Sequence, residues 1–108
     1  MKVLRHGIIN PHRANWGWIY EEDILAEVTV YSGTNCPYCV KAKALLQKKN
    51  VVFEEFNVQE DPAKLSEMLV RTGGRKSIPQ IFINGVHVGG CDDLYALNEA
   101  GKLDELLV

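Results

Sequence analysis

The run Cys36–Cys39, which reads Cys-Pro-Tyr-Cys, constrains the fold of this chain more than any other feature. It separates a strand-like segment, Val28–Ser32, from a helix-like segment, Pro37–Lys49. The first is rich in β-branched and aromatic residues, whereas the second combines strong helix formers with an apolar stripe. Residues three apart in a helix lie on the same side of its surface, so the sequence predicts two neighbouring thiols at a helix start.

A pair of thiols at a helix start is suited to redox catalysis. The reactive form of cysteine is the thiolate, which the helix dipole and the unpaired N–H groups of the first turn stabilise. Cys36 stands at that end, Lys41 and Lys43 follow it, and no acidic residue lies between positions 36 and 49. We therefore predict that Cys36 is the nucleophile and that Cys39, one turn deeper, is the resolving thiol.

The same two cysteines are compatible with half of a zinc site or with an inert place in the core. A structural zinc site needs two further ligands, and no second pair of suitable residues follows at a short spacing. The remaining candidates are isolated in the sequence: His6, His12, His87 and Cys91. We expect no metal, and a strand-to-helix turn is not a usual position for inert cysteines.

Size and composition narrow the class of protein. With 108 residues and 46% hydrophobic content, the chain is predicted to form one domain with a single core. A net charge of −2 gives no reason to expect a nucleic-acid partner. Without a run of about 18 apolar residues, no membrane span is predicted. Three cysteines are a poor disulfide framework and the N-terminus lacks the apolar core of a secretory signal, so we expect a cytoplasmic protein.

Regular secondary-structure signals begin at about residue 27. After the first strand and helix, which Asn50 stops, Val51–Val58 predicts a second strand. Asp61 and Pro62 open a second helix as its N-cap and first helical residue, and Gly73-Gly74 ends it. A strand, a helix and a strand in so short a span predict two parallel strands with a right-handed crossover.

A hairpin and a third helix complete the predicted domain. Asn84-Gly85 is the strongest short hairpin signal that a sequence offers. It joins two predicted strands: Gln80–Ile83 and Val86–Val88. Asp92 or Asp93 can cap a helix that continues to Ala100 and closes at Gly101. A last helical turn against the core is predicted from three leucines: Leu103, Leu106 and Leu107. The fold class is therefore α/β, with a four-stranded mixed sheet flanked by helices on both faces.

Three motifs together resemble a dithiol glutaredoxin of the bacterial type. They are, in chain order, Cys36–Cys39, Ser77–Ile83 and Gly89–Leu94. The resemblance covers about residues 27–107, so we divide the chain into an N-terminal extension, 1–26, and a glutaredoxin domain, 27–108. It implies a thioredoxin-like fold and glutathione as the reducing cosubstrate. It also implies an enzyme that reduces protein disulfides and protein–glutathione mixed disulfides, with such proteins as its partners.

The resemblance implies which residues would hold glutathione. Pro79 corresponds to the family's cis-proline, and the backbone of Ile78, in the segment that begins at Ser77, would pair with the cysteine of glutathione. Gly90 would let the backbone approach the ligand closely. Asp92 would serve the γ-glutamyl end of glutathione, a role that is compatible with helix capping.

Two further contacts are implied, and one familiar contact is missing. Tyr38 would flank the groove, and Arg71 would bind the glycine carboxylate of glutathione, with Arg75 and Lys76 as alternatives. The family commonly carries Lys or Arg three residues before the nucleophile, where this chain has Gly33. Another cation must replace it, or the affinity for glutathione is lower than is usual for the family.

Cys91 is the third cysteine, it lies inside the third motif, and the resemblance implies that it is one of the glutathione-binding residues with Gly90 and Asp92. Small buried cysteines are common in protein cores, and this is the plain interpretation of Cys91. The alternative is a regulatory thiol beside the groove, which forms glutathione adducts or intermolecular disulfides under oxidation.

Two other functions compete with the oxidoreductase hypothesis. Some glutaredoxins carry an iron–sulfur cluster bridged between two chains through the first active-site cysteine and two glutathiones. Those proteins usually have a small residue where this chain has Pro37, and a single active-site thiol. A thioredoxin reduced by a flavoprotein is disfavoured, because thioredoxins normally show Trp-Cys-Gly-Pro-Cys and lack the Gly-Gly-Cys-Asp-Asp segment.

Residues 1–26 fall outside the resemblance. Their aromatic run, Trp16–Tyr20, is too apolar for a purely solvated tail, and we expect some order around Trp16–Leu25. A disordered tail and a region upstream of the true start of the protein are the alternatives. The acid-free first 20 residues also resemble a transit peptide loosely, although Pro11 would interrupt an amphipathic helix. We expect a monomer, with dimerisation through the extension as the alternative.

Overall fold

The computed structural model describes residues 26–107 of the chain. In this part of the chain, strands and helices follow one another in the order β1 (Val28–Ser32), α1 (Pro37–Lys48), β2 (Phe53–Asn57), α2 (Pro62–Thr72), β3 (Gln80–Ile83), β4 (Val86–Gly89), α3 (Cys91–Glu99) and α4 (Leu103–Leu107). The four strands form one sheet in the order β2-β1-β3-β4. The pair β1–β2 is parallel, whereas β1–β3 and β3–β4 are antiparallel. The predicted four-stranded mixed sheet is confirmed.

The ends of the helices and the hairpin follow local rules. Asp61 caps α2, since its side chain accepts hydrogen bonds from two backbone N–H groups of the first turn, at 3.1 and 3.3 Å. Gly73 ends α2 in the left-handed conformation, at a φ of 74°. Asn84 and Gly85 both have positive φ, 53° and 81°, as the tight turn between two antiparallel strands requires.

Helices cover both faces of the sheet, and the two faces are packed differently. On one face, α1, α3 and α4 enclose an apolar cluster with β1 and β3, in which Val30, Leu46 and Leu94 are fully buried. On the other face, α2 packs over a smaller cluster centred on Tyr31, Met68 and Phe82. Because α1 and α3 share a face, their N-terminal ends can contribute to the same site.

Some predicted boundaries differ from the structure. The strand β2 begins at Phe53, because the Val51 N–H bonds to the Leu46 carbonyl at 3.1 Å and so closes α1 instead of joining the sheet. The N-cap of α3 is Gly90, not Asp92 or Asp93. Three smaller corrections lie near the C-terminus: α3 ends at Glu99, Ala100 is its C-cap, and Leu106 of the last turn is exposed.

Within residues 26–107, no helix combines the length and the apolar character that crossing a membrane requires. The prediction of order around Trp16–Leu25 lies outside the described residues.

Candidate active site

Cys36 and Cys39 form a disulfide at the start of α1, with their Cα atoms 5.2 Å apart. Cys36 is the N-cap of the helix, and its Sγ accepts a hydrogen bond from the Cys39 N–H at 3.1 Å. The side chain of Cys36 is half-buried, whereas Cys39 is 1% exposed. The sulfur that solvent can reach is therefore the one that the helix N-terminus stabilises as a thiolate.

The lysines of α1 do not reinforce this effect as the sequence suggested. Lys43 Nζ lies 2.7 Å from Glu55 Oε2, and this bond, with one from Ser32, holds the pKa of the Glu55 carboxyl below its usual value. Lys41 Nζ lies 5.1 Å from the centre of the Tyr95 ring. No acidic residue stands in the first turn of α1, so the helix end itself supplies the positive potential near Cys36.

A shallow groove of about 200 Å³ adjoins the start of α1. Its lining is formed by Tyr38, Arg75, Ser77, Ile78, Pro79, Gly90, Cys91, Asp92 and Asp93. Seven of the eight residues that the resemblance implied for glutathione thus lie together, although they come from three separate parts of the chain. Tyr38 is 60% exposed and stands free at the rim, where a ligand can reach its ring.

The wall made by Ser77, Ile78 and Pro79 is held from behind by a buried glutamine. The Ile78–Pro79 peptide bond is cis, as the resemblance implied. Gln80 is fully buried, and its Nε2 donates to the Ser77 carbonyl at 2.9 Å and to the Ser77 hydroxyl at 3.0 Å. Its Oε1 lies 2.6 Å from Nε2 of His87. These contacts hold Ser77 at the edge of the groove.

Gln80 is a residue of the site that sequence reasoning missed. The available signal was a polar side chain inside the short strand β3, where the other three residues are apolar and buried. Buried polar side chains in native proteins almost always have hydrogen-bond partners. A buried glutamine directly after the proline therefore indicates a polar network behind it.

The opposite wall is the turn into α3. Gly89 has a φ of 119°, and a Cβ there would come within 2.7 Å of the Asp93 carboxyl carbon. A Cβ on Gly90 would lie 3.3 Å from the Pro79 carbonyl oxygen, so the two walls approach closely at this point. Both aspartates of this wall are exposed, and Asp93 Oδ2 accepts a hydrogen bond from the Gly90 N–H at 2.9 Å, so Asp92 is the carboxylate that this turn does not use.

The predicted position of Arg71 needs correction. Arg71 does not line the groove: its Nη1 donates to the Tyr31 hydroxyl at 2.7 Å, and its guanidinium lies 3.9 Å from the centre of the Phe82 ring. The reason is that the last turn of α2 faces the aromatic cluster on the sheet. Arg75, one of the two alternatives, is the arginine that lines the groove.

Gly33 also has a structural explanation. A Cβ at this position would come within 2.6 Å of Ile78 Cδ1 and 2.7 Å of the Gln59 side chain. Gln59 is held there because its Oε1 accepts a hydrogen bond from the Thr34 N–H at 2.9 Å. The side chains of Gln59 and Ile78 therefore occupy the space that the Cβ of a larger residue at position 33 would need.

Cys91 lies at the junction of the groove and the apolar core. It is 5% exposed, and burial raises the pKa of its thiol, an effect that Lys41 only partly offsets. It is the one free cysteine among residues 26–107. A thiol in these surroundings is mostly protonated at neutral pH, which disfavours it as a nucleophile.

Comparison with known proteins identifies the family. The family model described as Glutaredoxin matches residues 28–88. The chain belongs to the glutaredoxin family. Glutaredoxin 3 of Escherichia coli K12 is 52% identical over 83 residues, which cover 77% of this chain and 99% of that protein. The glutaredoxin family comprises thiol–disulfide oxidoreductases, so the predicted enzyme class is confirmed.

Solved glutaredoxin structures agree with the fold. The solution structure of glutaredoxin from Brucella melitensis matches with a TM-score of 0.67 and 52% identity, over 77% of this chain and 89% of that one. The buckwheat glutaredoxin–glutathione complex matches with a TM-score of 0.68 and 30% identity, over 74% of each chain. The thioredoxin-like fold is confirmed. Family membership, the Cys36–Cys39 pair and the likeness to a glutathione complex together support a glutathione-dependent thiol oxidoreductase.

In the described part of the chain, no group of three or more His, Cys, Asp or Glu side chains is placed to hold a metal ion. The division of the chain at residue 26 stays a prediction, because the extension lies outside the described residues.

Proposed function

We propose that Cys36 is the nucleophile of this glutaredoxin and that Cys39 is its resolving thiol. The observation that supports these roles most directly is the difference in access: Cys36 is the half-buried N-cap of α1, whereas Cys39 is 1% exposed. In a bimolecular exchange the attacking sulfur must reach the substrate disulfide in line. In the second, intramolecular step, the Cys39 sulfur needs to reach only the Cys36 sulfur, so it can be buried.

Protein disulfides and protein–glutathione mixed disulfides are the proposed substrates. With a mixed disulfide, the Cys36 thiolate attacks the glutathione sulfur, and the protein thiolate leaves and takes up a proton. A second glutathione thiolate then attacks the Cys36-bound glutathione, which releases oxidised glutathione and restores the Cys36 thiolate. With a protein disulfide, Cys39 attacks Cys36 in the mixed disulfide, the substrate leaves as a dithiol, and two glutathiones later reduce the Cys36–Cys39 bond.

The charges of the groove suit glutathione, which carries a carboxylate at its glycine end and both a carboxylate and an ammonium at its γ-glutamyl end. We propose that Arg75 binds the glycine carboxylate. Asp92 faces the γ-glutamyl ammonium, and backbone N–H groups at the start of α3 receive the adjoining carboxylate. The backbone of Ile78 pairs with the central cysteine of the ligand, as an added strand does.

The two active-site cysteines provide a matched pair of variants. Activity is followed as NADPH consumption with glutathione, glutathione reductase and a small glutathione mixed disulfide. Cys36→Ser should abolish turnover, whereas Cys39→Ser should retain it, because external glutathione resolves the intermediate. With a protein disulfide as substrate, Cys39→Ser should also lose turnover. Substantial activity of Cys36→Ser would contradict the assigned roles.

Two wider expectations remain proposals. A dithiol that cycles through glutathione works in a reducing compartment, and we propose the cytoplasm. We also propose a monomer as the working form, since the cycle needs one copy of each cysteine.

A further inference from the structure

A second cavity lies at the sheet edge, at the opposite end of β1 from the loop to Cys36. Its volume is about 810 Å³, roughly four times that of the glutathione groove. The apolar part of its lining is Ala26, Val28, Val51, Val52, Phe53 and Leu107. Val52 is 86% exposed, the highest value among the large hydrophobic residues of the described chain. A concave apolar surface of this volume is typical of a binding site.

The strand beside this cavity is an edge strand. In the described sheet, β2 pairs with β1 alone, and Phe53 and Glu54 at its start line the cavity. Natural proteins usually cover or blunt such edges, because an uncovered edge is a template for pairing with other chains. Because the cavity and the strand edge adjoin, a single segment can cover both.

The chain itself supplies an occupant of matching chemistry. Ala26, the first described residue, lines the cavity, so the preceding segment begins at the cavity wall. The aromatic run Trp16–Tyr20 contains four large apolar residues around one glycine. Five residues, Glu21–Leu25, connect it to Ala26, and a five-residue connector spans at most about 17 Å. That length keeps the aromatic run close to the cavity.

The charges around the cavity are compatible with this occupant. Four charged residues line the cavity: Lys49 and Asp104 form an ion pair at 2.9 Å and balance each other, whereas Glu27 and Glu54 add two carboxylates. The aromatic run carries no charge, and the charged residues of the connector, Glu21-Glu22-Asp23, come after it. An uncharged aromatic segment can therefore enter the cavity while the acidic connector remains in water.

We propose that the aromatic run Trp16–Tyr20 docks into this cavity of its own chain and covers the start of β2. The proposal concerns a surface remote from the active-site cysteines and is independent of the proposed catalytic roles.

The chain offers a direct readout, because its two tryptophans, Trp16 and Trp18, both belong to the aromatic run. We compare tryptophan emission and acrylamide quenching for three full-length proteins: the natural chain, Val52→Asp and Val70→Asp. Val70 is the matched control, since it is 81% exposed on α2, on the face of the sheet that α2 covers. Both variants should fold, because both positions are exposed, and far-UV circular dichroism checks this.

In the natural chain we expect blue-shifted emission and less quenching than in the urea-unfolded chain. Val52→Asp should shift the emission to the red and raise the quenching constant, because it places a charge in the cavity, whereas Val70→Asp should change neither. If the natural chain already emits and quenches as the unfolded chain does, the proposal is wrong. Equal effects of the two variants would also overturn it.

The same samples distinguish the chain's own segment from that of a second copy. Light scattering over a dilution series should give the monomer mass, with tryptophan protection that does not depend on concentration. Protection that is lost on dilution, together with a fall from dimer to monomer mass, would assign the cavity to a second copy and overturn the proposal.

Discussion

The two faces of the sheet are stabilised in different ways. Under α1, α3 and α4 the packing is apolar, with Leu46, Leu94 and Leu103 fully buried. Under α2 the core is mixed: Tyr31 is fully buried, donates its hydroxyl hydrogen to Glu67 and accepts a hydrogen bond from Arg71. Two rings of that face, Phe56 and Phe82, also lie against cations.

The two faces also differ in how they contribute to the groove. The N-terminal ends of α1 and α3 both reach the groove, where Cys36 and Gly90 are their N-caps. Dense apolar packing holds such ends in place without polar groups that compete with the ligand. The α2 face reaches the groove only through the loop after the helix. The charged side chains of α2 therefore contact the aromatic cluster and stabilise the fold.

The largest change in stability is expected from a substitution that opens a cavity in the apolar core under α1, α3 and α4. Leu46→Ala should lower the free energy of unfolding by about 3 kcal/mol, because it removes a fully buried side chain from a packed cluster. The measurement is urea denaturation. Val70→Ala, at an exposed position of α2, should change stability by less than about 0.5 kcal/mol. A similar loss in both variants would show that burial does not distinguish these positions.

A smaller effect is expected on the mixed face. Arg71→Met keeps the aliphatic stem but removes the hydrogen bond to Tyr31 and the cation over Phe82. We expect a loss of about 1 kcal/mol in unfolding free energy, since the residue is exposed and solvent screens its charge. The KM for a glutathione mixed disulfide should not change. A raised KM with unchanged stability would return Arg71 to the binding site.

Arg75→Met is the matched variant for the groove. It should raise the KM for the mixed disulfide about threefold to fivefold, because an exposed charge contact contributes at most about 1 kcal/mol. Stability should stay within about 0.5 kcal/mol of the natural chain. Steady-state kinetics and urea denaturation of the two arginine variants test whether recognition and stability are separate. If Arg75→Met leaves KM unchanged, the glycine carboxylate is bound elsewhere.

The smallest expected effect is a pH dependence on the mixed face. Burial, aided by the charge of Arg75, lowers the pKa of His87 below its usual value of 6.5. The unfolded chain then binds a proton at His87 more readily than the folded chain does. The stability from neutral His87 is therefore fully present above the usual pKa and is lost as pH falls through the lowered one.

Urea midpoints between about pH 7.5 and 5 test this dependence, because the usual pKa of histidine lies inside this range. His87→Gln should show a flatter decline than the natural chain, since it cannot be protonated. His6 and His12 are common to both proteins and cancel in the comparison. Parallel curves would mean that His87 has the same pKa in the folded and unfolded states.

Much of the fold could be predicted because its signals are local. The helix cap at Asp61, the left-handed stop at Gly73 and the tight turn at Asn84-Gly85 each depend on residues within one turn of the chain. The start of β2 could not be predicted in this way. Val51 has strand propensity, but a carbonyl at the end of α1 takes its N–H group.

The residues of the candidate site could be predicted where they belong to a sequence motif. They were harder to predict where contacts between distant parts of the chain determine their positions. Most of the residues that the resemblance implied line one groove, and their roles toward glutathione stay predictions. Lys43 was counted among the positive charges that follow Cys36, but its partner Glu55 comes from β2. Gln80 was overlooked because its partners, Ser77 and His87, come together only when β3 and β4 pair.

The sequence by itself determined the chemistry of this protein: two thiols three residues apart at a helix start, a proline loop and a glycine turn. These are properties of bonds, dihedral angles and the first turn of a helix, which act over a few residues. Only the tertiary structure decided which charged side chains line the groove. Arg71 and Arg75 lie four residues apart; contacts with Tyr31 and Phe82 hold Arg71 against the aromatic cluster under α2, whereas Arg75 lines the groove.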